Sequence, residues 1–170
     1  MKKSTWKTYI FWILLTEAVG ALSGWLTRTA TRSYTDTIIQ PPLSPPAIAF
    51  PIVWGILFAL MGIGAARIYL TPASDVRSRS FLLFFLQLLF NFFWSIIFFN
   101  FQAFGFAFIW LVILWLLILL MILSFRKIDK LAALFQIPYL LWVTFAAYLN
   151  LGVWFLNDNI SALQELLKLS

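Results

Sequence analysis

Five runs of apolar residues, each about as long as a bilayer's hydrocarbon core is thick, constrain this chain more than any other feature. They fall at about 9–26, 47–70, 81–99, 104–125 and 131–156. The third, FLLFFLQLLFNFFWSIIFF, is apolar on every side. A strand of a membrane barrel alternates apolar and polar residues over about ten positions. Uninterrupted runs instead predict helices, which satisfy their own backbone groups inside the lipid. The expected fold is an all-α membrane protein, one domain over 1–170 built as a five transmembrane helix bundle. Composition agrees, since the chain is 63% hydrophobic and 11% charged, whereas a soluble domain is about half apolar and a quarter charged.

The chain has no Cys and no His. That removes disulfides and thiol chemistry, the commonest metal and haem ligand, and the usual general base. No metal site and no required cofactor are expected. Charge in the connections orients the bundle. Lys2, Lys3, Lys7, Arg67, Arg77, Arg79, Arg126, Lys127 and Lys130 lie on the N-terminal side, against Arg28, Arg32 and Lys168 on the other. By the positive-inside rule the N terminus is cytoplasmic and the C terminus outside. A bacterial plasma membrane fits this orientation, with the mitochondrial outer membrane as the alternative. The net charge of +6 follows from the same bias and suits contact with the lipid bilayer. No basic patch interleaved with aromatic residues points to nucleic acid. The N-terminal run carries Glu17, which argues for a retained span rather than a cleaved signal.

The connection over 28–46 is long for a helix bundle and ends in QPPLSPPAIAFP. Pro41, Pro42, Pro45 and Pro46 fix their own backbones and push the preceding residues into extended conformations, so this stretch is a stiff strap and not helix. Pro51 falls in the first turns of the second helix, where proline is best tolerated. The strap reads either as a loop end at the bilayer surface or as a lid over the mouth of the bundle.

Polar and aromatic residues inside the spans fall into stripes. Gln87, Asn91 and Trp94 stand at i, i+4 and i+7, and Trp142, Ala146 and Asn150 at i, i+4 and i+8. Both stripes are expected to face inward. Amides in a membrane serve as interhelical links or as ligand contacts, and the spacing alone leaves Gln87, Asn91 and Asn150 open between the two. Trp6, Trp12, Trp25, Trp110 and Trp154 lie near span ends and read as an interfacial belt. Glu17 is the one acid well inside a span, so it is expected to face the bundle interior. It shares a face with Gly20, Ala21 and Gly24, small residues that suit close helix packing. A proton relay is the other reading, but no second acid or His lies at depth to continue it.

Three segments, PPLSPPAIAFPIVWGILFALMGIGAARIYL, QLLFNFFWSIIFF and PYLLWVTFAAYLNLGVWFLN, resemble in order and spacing the translocator protein family, also called tryptophan-rich sensory proteins. The likeness covers nearly the whole chain. It implies a five-helix bundle that binds porphyrins (tetrapyrroles) and other apolar small molecules in a pocket on the side of the long loop. The resemblance implies pocket contacts from Trp54, Gln87, Asn91, Trp94, Trp142 and Ala146; Asn150, on the same stripe as Trp142, and Pro45 and Pro46, in the strap, join them as candidate ligand contacts by position. The implied ligand is a protoporphyrin-type tetrapyrrole stacked on Trp54 and Trp142, with Arg28 and Arg32 meeting its carboxylates. Without His or Cys, metal-free porphyrin is favoured over haem.

Tetrapyrrole sensing or stress regulation is the role this reading suits. A transporter of porphyrin or other apolar molecules is one alternative, opposed by the lack of clear inverted repeats and coupling charges. A light-dependent porphyrin-degrading enzyme is another, and only there would Trp54 and Trp142 count as catalytic. Three departures stand out. Many members carry Trp where this chain has Leu43. Gly152 stands where animal members have the Tyr of a sterol motif, which argues against cholesterol as a partner. The third span offers only Ser95 for the small-residue contact through which some members form a homodimer.

Overall fold

The structure is a computed structural model that describes the backbone of residues 5–168 and the side chains as far as Asp158. Lys2 and Lys3, and the side chain of Lys168, therefore lie outside the described residues. The helices are α1 (Thr5–Thr37), α2 (Ala49–Leu70), α3 (Asp75–Ser95), α4 (Phe104–Arg126), the short α5 (Lys130–Leu134) and α6 (Ile137–Lys168). A π-helical turn over Ile96–Asn100 prolongs α3. Five helical segments are long and apolar enough to cross a membrane, and no strand occurs among the described residues. The chain is thus an all-helical membrane protein.

Two boundaries differ from the sequence reading. The connection expected over 28–46 is helical as far as Thr37, which leaves 38–48 to join α1 to α2. Residues 28–37 are too polar to read as a span, yet they continue the helix, with hydroxyls that bond back to its own carbonyls: Thr31 Oγ1 donates to Thr27 O (2.9 Å), Thr35 Oγ1 to Thr31 O (3.0 Å) and Thr37 Oγ1 to Ser33 O (2.8 Å). Hydropathy reports where lipid ends, and a helix can continue beyond it. The fifth span, read as one run, breaks at Phe135 and Gln136 between α5 and α6. Pro138 has no N–H to give to Leu134 O, so the helix restarts with proline in its first turn.

Other ends follow local chemistry. α2 stops before Thr71-Pro72, with Thr71 extended (ψ 162°) as a residue preceding proline must be. Ser74 Oγ caps α3 by accepting from Arg77 N (3.2 Å). Asp129 caps α5 by accepting from the N–H groups of Leu131 (2.8 Å) and Ala132 (3.1 Å), and it pairs with Arg67 at 2.7 Å. Burial pushes the Asp129 carboxyl up, but the Arg67 hydrogen bond and charge, with these two N–H groups, outweigh it and hold the carboxyl below its usual range.

α1 packs on α2, α3 on α4, and α4 on α6. Gly62 is what lets α1 and α2 approach, because a Cβ there would lie 2.6 Å from Ile13 Cα and 2.8 Å from Trp12 O. Thr16 Oγ1 joins the same two helices by donating to Phe58 O (2.8 Å). Between α3 and α4, Trp110 stacks on Phe90 at 4.3 Å and donates to Phe90 O (2.8 Å). α6 meets α4 through Trp115 and Thr144 (2.8 Å), and Trp154 lies over Gly105.

Trp6 and Trp25 are 62% and 58% exposed, as a belt position requires, whereas Trp12 is not. Trp12 is buried, stacked on Phe81 at 5.1 Å and surrounded by Tyr69, Phe84 and Phe85. Trp110, Trp115 and Trp154 likewise serve helix packing. The surface left to lipid is rich in exposed Leu, Ile and Phe from every span.

Candidate functional site

α2 comes close to the α5–α6 unit only at one end, through α5 and the break before α6. There Gln136 Nε2 donates to Leu60 O (3.3 Å) beside Gly64. Toward the strap only rings bridge them, Trp54 edge-on to Tyr139 (6.1 Å) and Phe50 edge-on to Trp142 (6.0 Å). The space so left is a cavity of about 750 Å³, walled by α1, α2, the end of α3 and α6, and roofed by Gln40, Pro45 and Pro46.

Of the residues singled out from sequence, Pro45, Pro46, Trp54, Asn91, Trp94, Trp142, Ala146 and Asn150 line this cavity. Gln87 does not. It is fully buried in the next layer, where its Oε1 accepts from the Tyr139 hydroxyl (2.9 Å) and its Nε2 lies 3.9 Å from Met61 Sδ. Asn91 donates to the same hydroxyl (2.8 Å). Asn150 accepts from Trp94 Nε1 (3.3 Å) and donates to Phe104 O (2.8 Å), tying α6 to α3 and α4. The amides thus act first as interhelical links, and Asn91 and Asn150 also present part of themselves to the cavity. Arg28 lines the strap end, its guanidinium 4.6 Å over the Trp25 ring and hydrogen-bonded to Trp25 O (2.6 Å). Arg32 is exposed and outside the lining.

The strap is fastened along the outer half of α6. Asn157 pairs with the backbone of Ile39 in both directions, Oδ1 accepting from its N–H (3.1 Å) and Nδ2 donating to its carbonyl (3.0 Å). Pro41 is buried against Gly152, where a Cβ would lie 2.6 Å from the proline ring. The Tyr148 hydroxyl donates to Pro42 O (2.9 Å). Leu43 forms the apex, 80% exposed and with φ at 68°. Gly152, met in the sequence as a departure from a sterol motif, has a packing reason of its own.

Sequence reasoning missed two parts of the site. Tyr139 stands three residues before Trp142 on the same α6 stripe, so extending that stripe by one turn would have found it. Thr31 and Tyr34 line the cavity from the part of α1 read as loop, and Thr27 from the residue just before it. The small stripe of α1 also behaves differently from expectation. Gly20 takes the Phe58 ring, but a Cβ on Gly24 would meet nothing within 4 Å, because Gly24 faces the cavity and not a helix.

The sequence matches the TspO/MBR family over residues 12–155. The chain belongs to that family. Among its relatives are the tryptophan-rich protein TspO of Chlorobaculum tepidum, 36% identical over 141 residues that cover 82% of this chain and 89% of the relative. Protein CrtK of Rhodobacter capsulatus is 33% identical over 75% of this chain and 80% of its own length. The translocator protein of Ovis aries is 32% identical over 71% of each. The matched region of this TspO/MBR member holds the three middle spans, most of the first and fifth, the strap and every cavity residue named above.

Proposed function

We propose that this protein binds a flat, apolar, partly anionic tetrapyrrole, with protoporphyrin as the test ligand, in the cavity beneath the strap. The observation that carries the reading is the aromatic wall, with half-buried Trp54 and Trp142 facing about 750 Å³ of space. That volume lies within the range of small-molecule sites, about 300–1,000 Å³. Stacking on the two indoles supplies affinity beyond burial, roughly 0.5–1.5 kcal/mol per aromatic pair. Arg28 at the strap end suits a carboxylate reaching the mouth. Asn91 and Asn150 orient polar edges. We place the protein in a bacterial plasma membrane with the N terminus cytoplasmic, which puts the strap and cavity mouth on the outer side.

Quenching of indole fluorescence by added protoporphyrin tests the binding reading. Trp54→Phe or Trp142→Phe keeps an aromatic body but shrinks the stacking area. Either change is expected to weaken binding by a few-fold to about tenfold, ~1 kcal/mol. Trp6→Phe, at an exposed position far along α1, should leave it unchanged. Wild-type affinity in both cavity variants sinks the assignment.

A further inference from the structure

The wall that α1 gives the cavity is a stripe running from Glu17 through Gly20, Gly24 and Thr27 to Arg28 and Thr31. Glu17 and Arg28 are the two charged side chains in the lining. Eleven residues separate them on nearly the same face, about 16 Å along the axis at about 1.5 Å per residue. Arg28 sits near the strap, while Glu17 marks the deep end, inside the apolar part of the span. Arg28 is already engaged with Trp25. Glu17 makes no hydrogen bond or ion pair with any described residue. A carboxylate at that depth is costly unless something pairs with it, and no described residue does so. The cavity that it lines also holds the rings of Phe58, which packs against Gly20 one turn along α1, and of Trp54, with open space farther on at Gly24. A carboxylate in a cavity lined with aromatic rings attracts a cation by charge-assisted hydrogen bonding, and the ring faces favour the same charge.

We propose that the deep end of the cavity is a subsite for the protonated amine of an aromatic-bodied, membrane-soluble ligand, and that Glu17 sets this preference. The inference rests on the cavity being the ligand site and adds a ligand class to it. It also assigns Glu17 a role that neither helix packing nor a proton relay gives it.

The test uses the full chain in nanodiscs of neutral phosphatidylcholine, so that lipid charge does not gather the amine. Aminomethylpyrene and methylpyrene are flat and nearly the same shape, and only the first carries an ammonium. Each is titrated by quenching of indole emission. The wild type is expected to prefer the amine by about tenfold, the order a charge-assisted hydrogen bond supplies. Glu17→Gln should abolish that preference, read as the ratio of the two pyrene affinities within each protein, and Glu17→Asp should keep part of it. An equal affinity for the two pyrenes in the wild type, or a preference that survives Glu17→Gln, overturns the subsite and leaves the cavity reading intact. If neither methylpyrene nor protoporphyrin binds, the cavity reading fails and the subsite falls with it.

Discussion

At the scale of single residues the site depends on a hydroxyl that touches no lipid and little of the cavity. Tyr139 donates to Gln87 and accepts from Asn91, and its ring supports Trp54 edge-on. Tyr139→Phe keeps the ring and removes both hydrogen bonds, leaving two buried amides short of a partner at a cost of about 1–3 kcal/mol. The expected result is a lower melting temperature in detergent, with a smaller loss of protoporphyrin affinity as Asn91 loses its fixed orientation. Unchanged melting would show that the three groups are not coupled. Sequence placed Gln87 and Asn91 on one stripe, and they do share a face. It could not tell that one lines the cavity and the other lies a layer behind it, since four residues of helix advance a side chain by about 6 Å along the axis. Depth in a tilted bundle separates them. Trp12 makes the same point: its distance from the span end suggested an interface, whereas Tyr69, Phe81 and Phe84 close over it.

Among the elements, the strap is the one whose chemistry and position differ most in legibility. Its prolines are visible in the sequence and guarantee a stiff segment that is not helix, though not its turn at Leu43. Its seat on α6 is not visible, because Asn157, Gly152 and Tyr148 are separated from it by more than a hundred residues. Gly152→Val should displace Pro41, and Asn157→Ala should remove the two hydrogen bonds to Ile39. Either change is expected to speed protoporphyrin dissociation several-fold, about 1 kcal/mol of strap fastening, as read by stopped-flow fluorescence. Dissociation at the wild-type rate in both variants would mean that the strap does not hold the ligand in.

For the molecule as a whole, orientation is the open quantity that charge alone predicts. Lys130 lies on the side read as cytoplasmic and Arg32 on the other. Because the chain has no Cys, a cysteine placed singly at either position reports without interference. In intact cells an impermeant maleimide should label Arg32→Cys and spare Lys130→Cys. The reverse pattern would invert the topology and put the cavity mouth in the cytoplasm.

The sequence by itself determined that the chain crosses a membrane as helices and roughly where each span lies. Both follow from local chemistry: about 20 consecutive apolar residues in lipid have no other way to satisfy their backbones. It also determined which faces of α3 and α6 turn inward, since periodicity is a property of one helix at a time. Only the tertiary structure decided that α2 and α6 stay apart at the strap end, that Gly24 faces space where Gly62 faces a helix, and that Glu17 opens onto the cavity between them. Lipid tails are as apolar as the side chains they meet, so burial does not dictate which helices touch. Small residues, ring shapes and a few hydrogen bonds between distant segments do, and their partners are known only once the bundle is assembled.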